Sequence, residues 1–149
     1  MRSPLLMTAL RARASRPYPP TSSEFTARFW QGLSEHQFLA THCDDCGRLS
    51  FPPKPFCPHC WSRAARWQAL SPRGVVYSAT TIHAAPQVFR SESPYQVGIV
   101  DLDAGLRIAT RLLGTTSSAA AIGQPVELVV VEYDDGPLFA AQLLQPTNI

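Results

Sequence analysis

The residues of this chain best suited to chemistry are its four cysteines, which fall together as Cys43-Asp44-Asp45-Cys46 and Cys57-Pro58-His59-Cys60, with Gly47 to Phe56 between the pairs. A two-residue gap lets both thiolates of one tight turn face a single tetrahedral ion while backbone amides of the turn donate to the sulfurs. Two such turns complete a four-sulfur shell. Gly47 directly follows the first pair, where the chain often needs a positive φ. The expected ion is structural zinc, held by Cys43, Cys46, Cys57 and Cys60; the same ligands also suit a rubredoxin-type iron centre. A shell closed by four cysteines leaves no open coordination position, so the metal holds the fold and does not catalyse. Disulfides would require an oxidising compartment, and the opening residues run into Arg11, Arg13 and Arg16 without the cleavage site of a signal peptide. A redox C-x-x-C would sit in alternating strands and helices, a pattern the chain lacks. His42 and His59 are surplus to a four-sulfur shell.

Little else points to catalysis. A nucleophile needs a base within hydrogen-bond reach, but the cysteines are committed to metal and no Gly-x-Ser-x-Gly occurs. Of the histidines, only His36 and His83 lie clear of the cysteine cluster. His83 ends a strand-like run and is a candidate ligand-binding residue. Asp101 and Asp103 share a strand face, yet beside Gly105 they read as a solvated hairpin end. With no phosphate-cradling glycine-rich loop, an anionic ligand would have to use arginines such as Arg73, Arg90, Arg107 or Arg111. No catalytic residue is expected.

The elements that must position the cysteines follow from the surrounding pattern. Within the ribbon expected at 38–70, residues 39–69 hold only a few large apolar groups (Leu49, Phe51, Phe56, Trp61, Trp67 among them), and a module that small needs a metal or disulfide staple. Ahead of it, Pro17, Pro19 and Pro20 make an extended lead-in, and Thr21-Ser22-Ser23-Glu24 reads as a capping box for a helix over 21–37. Phe25, Phe29 and Leu33 recur at four-residue spacing with Trp30 beside them, an aromatic stripe that either packs on the chain's own core or binds a partner. Phe25, Phe29 and Trp30 are therefore partner-binding candidates. Residues 1–20 read as a disordered or extended tail.

Residues 71–149 alternate between strand-like runs and turn signals: strands at 74–83, 95–102, 106–113, 126–133 and 138–143, a hairpin at Asp103-Ala104-Gly105, a small-residue connector at 115–123 and a turn at Asp134-Asp135-Gly136-Pro137. Five short strands in this order suit a small closed barrel such as the OB-fold. At 149 residues the chain has room for one compact domain or two very small ones.

Its net charge of +2 is unevenly spread. Residues 1–23 carry Arg2, Arg11, Arg13 and Arg16 and no acid, whereas residues 74–149 carry three arginines against seven acids, a net −4. Zinc-ribbon and OB-fold proteins that bind nucleic acid are the alternative reading, but such a barrel wants a basic groove with stacking aromatics. No nucleic-acid partner is expected. Neither is a membrane segment, since no run reaches about 18 apolar residues, and a cytoplasmic location follows.

The aromatic Phe29-Trp30, Cys43-Asp44-Asp45-Cys46-Gly47, Phe51-Pro52-Pro53-Lys54-Pro55, the second cysteine pair, and Gly74-Val75-Val76-Tyr77-Ser78 come in an order that resembles the DUF35 family over residues 17–143. The resemblance implies a mainly β protein: an N-terminal helix, a rubredoxin-like zinc ribbon, then a five-stranded OB-fold barrel. It further implies a non-catalytic accessory or scaffold subunit of a thiolase-fold complex (acyltransferase, thiolase or aldolase type) handling acyl-CoA or acyl groups. The implied partners are thiolase-fold enzyme subunits, with acyl-CoA as an implied ligand. The chain departs from the family pattern at Trp61, where a small residue, often Gly, is more usual after the last cysteine.

Overall fold

The computed structural model describes residues 5–114 and 122–144, so most of the connector expected at 115–123 lies outside the described residues. The elements are β1 (Thr8–Arg11), α1 (Ala27–Ser34), β2 (Phe38–Cys43), β3 (Leu49–Ser50), β4 (Ala65–Leu70), β5 (Arg73–Ile82), β6 (Tyr95–Leu102), β7 (Arg107–Leu113), β8 (Pro125–Tyr133) and β9 (Gly136–Leu143), with a 3₁₀ turn at Gln87–Glu92. No helix among the described residues is long and apolar enough to cross a membrane.

Helix α1 is shorter than expected and starts from a different cap. Ser23 and Thr26, not Thr21 and Glu24, exchange hydrogen bonds: the Ser23 amide donates to Thr26 Oγ1 (2.8 Å) and the Thr26 amide to Ser23 Oγ (3.1 Å). Tertiary packing selects this later start, because it turns Phe29 and Leu33 inward, where both are buried. The helix ends on His36 at φ 64, with the Gln37 amide donating to the Gly32 carbonyl (2.8 Å) and the His36 amide to that of Leu33 (3.0 Å). This left-handed cap satisfies carbonyls that would otherwise lack partners.

The ribbon is the three-stranded antiparallel sheet β3-β2-β4, in which Phe38 faces Leu70 and Cys43 faces Ala65. Only Ser71 and Pro72 separate β4 from β5, which opens the barrel. There β5 pairs with β6, β6 with β7, β7 in parallel with β9, β9 with β8 and β8 back to β5, which closes the five strands. Alternation along β6 buries Gln96, Gly98, Val100 and Leu102. Gly98 is required by close approach, since a Cβ there would lie 2.7 Å from the Ser78 carbonyl oxygen.

Residues 8–11 are not a free tail. Strand β5 pairs with β8 only as far as Glu127, which leaves an open edge beyond it, and β1 takes that edge in parallel, with Thr8 opposite Val129 and Arg11 opposite Glu132. The Met7 side chain is fully buried in the core, and its amide donates to the His36 carbonyl (2.8 Å) at the end of α1. Arg11 then pairs with Asp134 (2.5 Å), and the Arg16 amide donates to Asp135 Oδ1 (2.7 Å). Arg11 and Arg16 thus neutralise acids of the β8–β9 turn.

One continuous core includes Met7, Phe29 and Leu33 of α1, Phe38 and Leu70 of the ribbon and Val76, Val100 and Leu128 of the barrel. Met7→Ala should accordingly lower the unfolding free energy by about 2–5 kcal/mol; an unchanged urea midpoint would mean that the N-terminal segment is free. A pH effect follows as well. The Arg16 amide and guanidinium hold the Asp135 carboxyl below its ordinary range. Docking of the segment gains from the ionised form above about pH 4 and loses it as pH falls through the depressed value. Hydrogen exchange at the β1 amides should therefore accelerate on acidification before exchange at the β5–β6 core does.

Candidate metal centre

Strand β2 delivers Cys43 at its end, and the two cysteine turns are built alike. The Cys43 amide donates to the Arg48 carbonyl (2.9 Å) and the Cys57 amide to that of Ser62 (2.8 Å). The amides of Gly47 and Trp61 return to the carbonyls of Cys43 (2.8 Å) and Cys57 (2.9 Å). Each turn closes on a left-handed residue, Gly47 at φ 76 and Trp61 at φ 65. Backbone amides also reach the sulfurs: Cys46 N–H to Cys43 Sγ (3.5 Å) and His59 N–H to Cys57 Sγ (3.3 Å).

The four sulfurs lie within 4.8 Å of one another, with Cys43 Sγ 3.6 Å from Cys60 Sγ and Cys46 Sγ 3.5 Å from Cys57 Sγ. A tetrahedron with Zn–S bonds of about 2.3 Å has edges of about 3.8 Å, so the donor set fits zinc. Such an ion supplies charge neutralisation and cross-linking; the chain supplies ligands and amide donors. Asp45 ties the two turns together by accepting from the Ser62 hydroxyl, and Asp44 ties the first turn to β4 by accepting from Arg66 Nε (2.6 Å). The Arg66 hydrogen bond holds the Asp44 carboxyl below its usual range.

Without an ion, the sulfurs compete for protons. Donation from the Cys46 amide lowers Cys43 to about 7. At Cys60 the Ser62 amide also lowers the pKa, but desolvation and hydrogen bonds with the other thiols outweigh it and push Cys60 up to about 12. A protonated sulfur must lose its proton before it coordinates, so metal affinity rises with pH.

The sequence comparisons match this arrangement in both halves. Residues 30–65 fit the family description "ChsH2, rubredoxin-like zinc ribbon domain" and residues 67–132 fit "ChsH2, C-terminal OB-fold domain". A DUF35 domain-containing scaffold protein of Methanocaldococcus jannaschii is 31% identical over 129 residues, covering 83% of this chain and 92% of that one. The chain belongs to the DUF35 family. It is 33% identical over 121 residues to the 3-oxo-4,17-pregnadiene-20-carboxyl-CoA hydratase alpha subunit of Mycobacterium tuberculosis, covering 81% of this chain but only 38% of that subunit. Benzoylsuccinyl-CoA thiolase subunit BbsA of Thauera aromatica is 36% identical over 76 residues, 51% of either chain. Among solved structures, a chain of the Ltp2-ChsH2(DUF35) aldolase superposes with a TM-score of 0.73 at 30% identity, covering 84% of this chain and 98% of that one.

The other candidate residues of this DUF35 chain have varied fates. Phe29 is buried, Trp30 packs against the core beside it, and Phe25 stacks on Trp67 of the ribbon with centroids 5.0 Å apart. The stripe therefore fastens α1 to ribbon and barrel, the first of its two readings, and Phe29, named as a partner-binding candidate, is buried in the chain's own core. His83 is exposed in the bend after β5, where its carbonyl accepts from Ser93 Oγ (2.8 Å). His36 Nε2 lies 2.9 Å from Glu132 Oε1. Asp101 is a bidentate acceptor for Arg107 (2.7 and 3.1 Å), whose guanidinium covers Tyr77 at 3.6 Å.

Two clefts escape sequence reasoning, because each is lined from several elements. One, of about 530 Å³, lies between the first cysteine turn and the β6–β7 turn, with Arg48, Phe51, Lys54 and His59 in its walls. The other, of about 380 Å³, opens at the barrel mouth among Phe89, Tyr95, Arg111, Tyr133 and Phe139. Burial pushes the Tyr133 hydroxyl up.

Replacing Cys46 or Cys60 by Ser should abolish stoichiometric zinc, and strong chelation should lower the melting temperature of the wild-type chain sharply. Zinc release to a chromogenic chelator should increase as pH falls from about 8 to about 5; retention independent of pH would contradict thiolate ligation. Phe29→Ala should cost about 3–5 kcal/mol of stability in urea melts, where a partner-facing side chain would cost almost nothing.

Proposed function

We propose that this chain is a non-catalytic accessory subunit that holds together a thiolase-fold enzyme complex acting on acyl-CoA or acyl groups. The observation that carries the reading is the agreement along 98% of a DUF35 chain taken from an aldolase complex, together with near full-length similarity to a protein described as a scaffold. The thiolase and hydratase subunits among its relatives act on CoA thioesters according to their names. Well over half of the hydratase α subunit has no counterpart in this chain, so its hydration activity does not carry over.

Physical features support the same reading. The cysteines converge on one closed four-sulfur shell, which fits a structural metal and leaves no thiolate as nucleophile. His36 is hydrogen-bonded to Glu132, Asp101 to Arg107 and Arg111 to Glu92. Each of these bonds joins two elements of the fold at its surface.

Co-expression with the thiolase-fold protein encoded nearest to it should yield a hetero-complex of fixed stoichiometry in size-exclusion chromatography, and the isolated chain should not turn over acyl-CoA. Failure to form that complex, or acyl-CoA turnover by the isolated chain, would overturn the proposal.

A further inference from the structure

The two cysteine turns match in hydrogen bonding and differ in one respect. At the left-handed position the first has Gly47 and the second Trp61. Glycine takes that conformation freely, whereas a bulky side chain holds it against steric resistance. The indole gains little burial in return, since 74% of Trp61 remains exposed. It stacks instead on Phe56, itself 38% exposed, with centroids 5.6 Å apart and planes 11° from parallel. A strained backbone carrying an exposed, ordered aromatic pair points to a role outside the chain's own stability.

The charge around the pair is one-sided. Between Asp45 and Glu92 the chain contains no acidic residue. In sequence, Lys54 precedes Phe56 by two residues and Arg63 follows Trp61 by two, and neither is ion-paired among the described residues. Asp44 and Asp45 are already bound to Arg66 and Ser62. The thiolates of a zinc-loaded shell carry negative charge, but turn amides donate to them and two of the four sulfur-bearing residues are buried. What the tip presents outward is an exposed aromatic pair in a stretch of sequence whose only charged side chains are basic. Rigid aromatic anchors with flanking basic side chains are the usual makings of an interface centre.

We propose that Trp61 and Phe56 form a plug that enters an apolar, carboxylate-rimmed depression on the partner enzyme subunit. The inference rests on the accessory-subunit reading and names the surface through which it works. Trp61→Gly separates binding from folding, because glycine suits the backbone there. Affinity of the zinc-loaded chain for the thiolase-fold subunit would be measured by calorimetry. Trp61→Gly should keep its full zinc and melt no lower than wild type, yet bind at least about tenfold more weakly. Trp61→Asn, the other side chain at ease in this conformation, should do the same, and Trp61→Phe should stay within roughly threefold of wild type. Lys54→Glu combined with Arg63→Glu should slow association and flatten its salt dependence.

If wild type binds and Trp61→Gly and Trp61→Asn bind equally well, the plug is wrong and the accessory-subunit reading stands. If wild type does not bind, that reading falls and the plug falls with it. Self-association of the isolated chain that disappears in Trp61→Gly would show the occupant to be a second copy, which also overturns the proposal.

Discussion

Four phenylalanine rings, Phe29 of α1, Phe38 of β2, Phe51 of the ribbon loop and Phe139 of β9, lie with every pair of centroids within 6.2 Å. Helix, ribbon and barrel each contribute to this cluster, and the helix and the ribbon are too small to build a core of their own. Edge-to-face and tilted ring pairs add about 0.5–1.5 kcal/mol each beyond burial, and they prescribe orientation as well as contact. Because Phe38 starts the strand that ends at Cys43, the packing that joins the domains also sets the strand that delivers the first metal ligand. The metal in turn holds the far end of that ribbon, where no apolar core exists. Cluster and sulfur shell therefore bracket one short strand from both ends.

The N-terminal segment completes the arrangement by charge as well as by packing. Formal counting separates a basic front from an acidic barrel, yet in the fold Arg11 and Arg16 meet Asp134 and Asp135 across more than a hundred residues of chain. These exposed pairs contribute little individually. Their effect is directional: they align a segment whose anchor is Met7, and the aligned segment covers the edge that β5 abandons. His36, held at positive φ by the helix cap, adds its own bond to Glu132. A helix end, an exposed sheet edge and an acidic turn are thus satisfied by one strand.

What could be read from the sequence was what local spacing encodes. The cysteine spacing contains its own geometry, and the alternation and turn residues after Gly74 locate all five barrel strands to within about two residues, as expected where boundaries are soft. The inward-facing Phe29 and Leu33 were visible as a helical stripe, but a stripe does not say what it packs against; only the barrel's Phe139 and the ribbon's Phe38 decide that. Strand β1 was illegible because its partner, β8, lies some 120 positions later and parallel pairing has no turn to announce it. Arg48 and Lys54 carry no local sign of a cleft for a related reason: it exists only once the ribbon folds against the β6–β7 turn.

The same geometry bears on how the proposed accessory subunit would serve its complex. A scaffold must hold surfaces at fixed separation, and a flexible joint between ribbon and barrel would surrender that. Here Ser71 and Pro72 are the whole connection, β4 runs almost directly into β5, and the phenylalanine cluster locks the pair from the opposite side. The ribbon tip, with its exposed Phe56–Trp61 pair, and the acidic barrel consequently face solvent as parts of one body. Orientation between them is set by packing density, which tolerates little adjustment, so a partner that recognises the tip also finds the barrel in a defined place. In the proposed complex the zinc would act through structure alone, by maintaining the rigid arm of the ribbon from which the rest of the assembly takes its bearings.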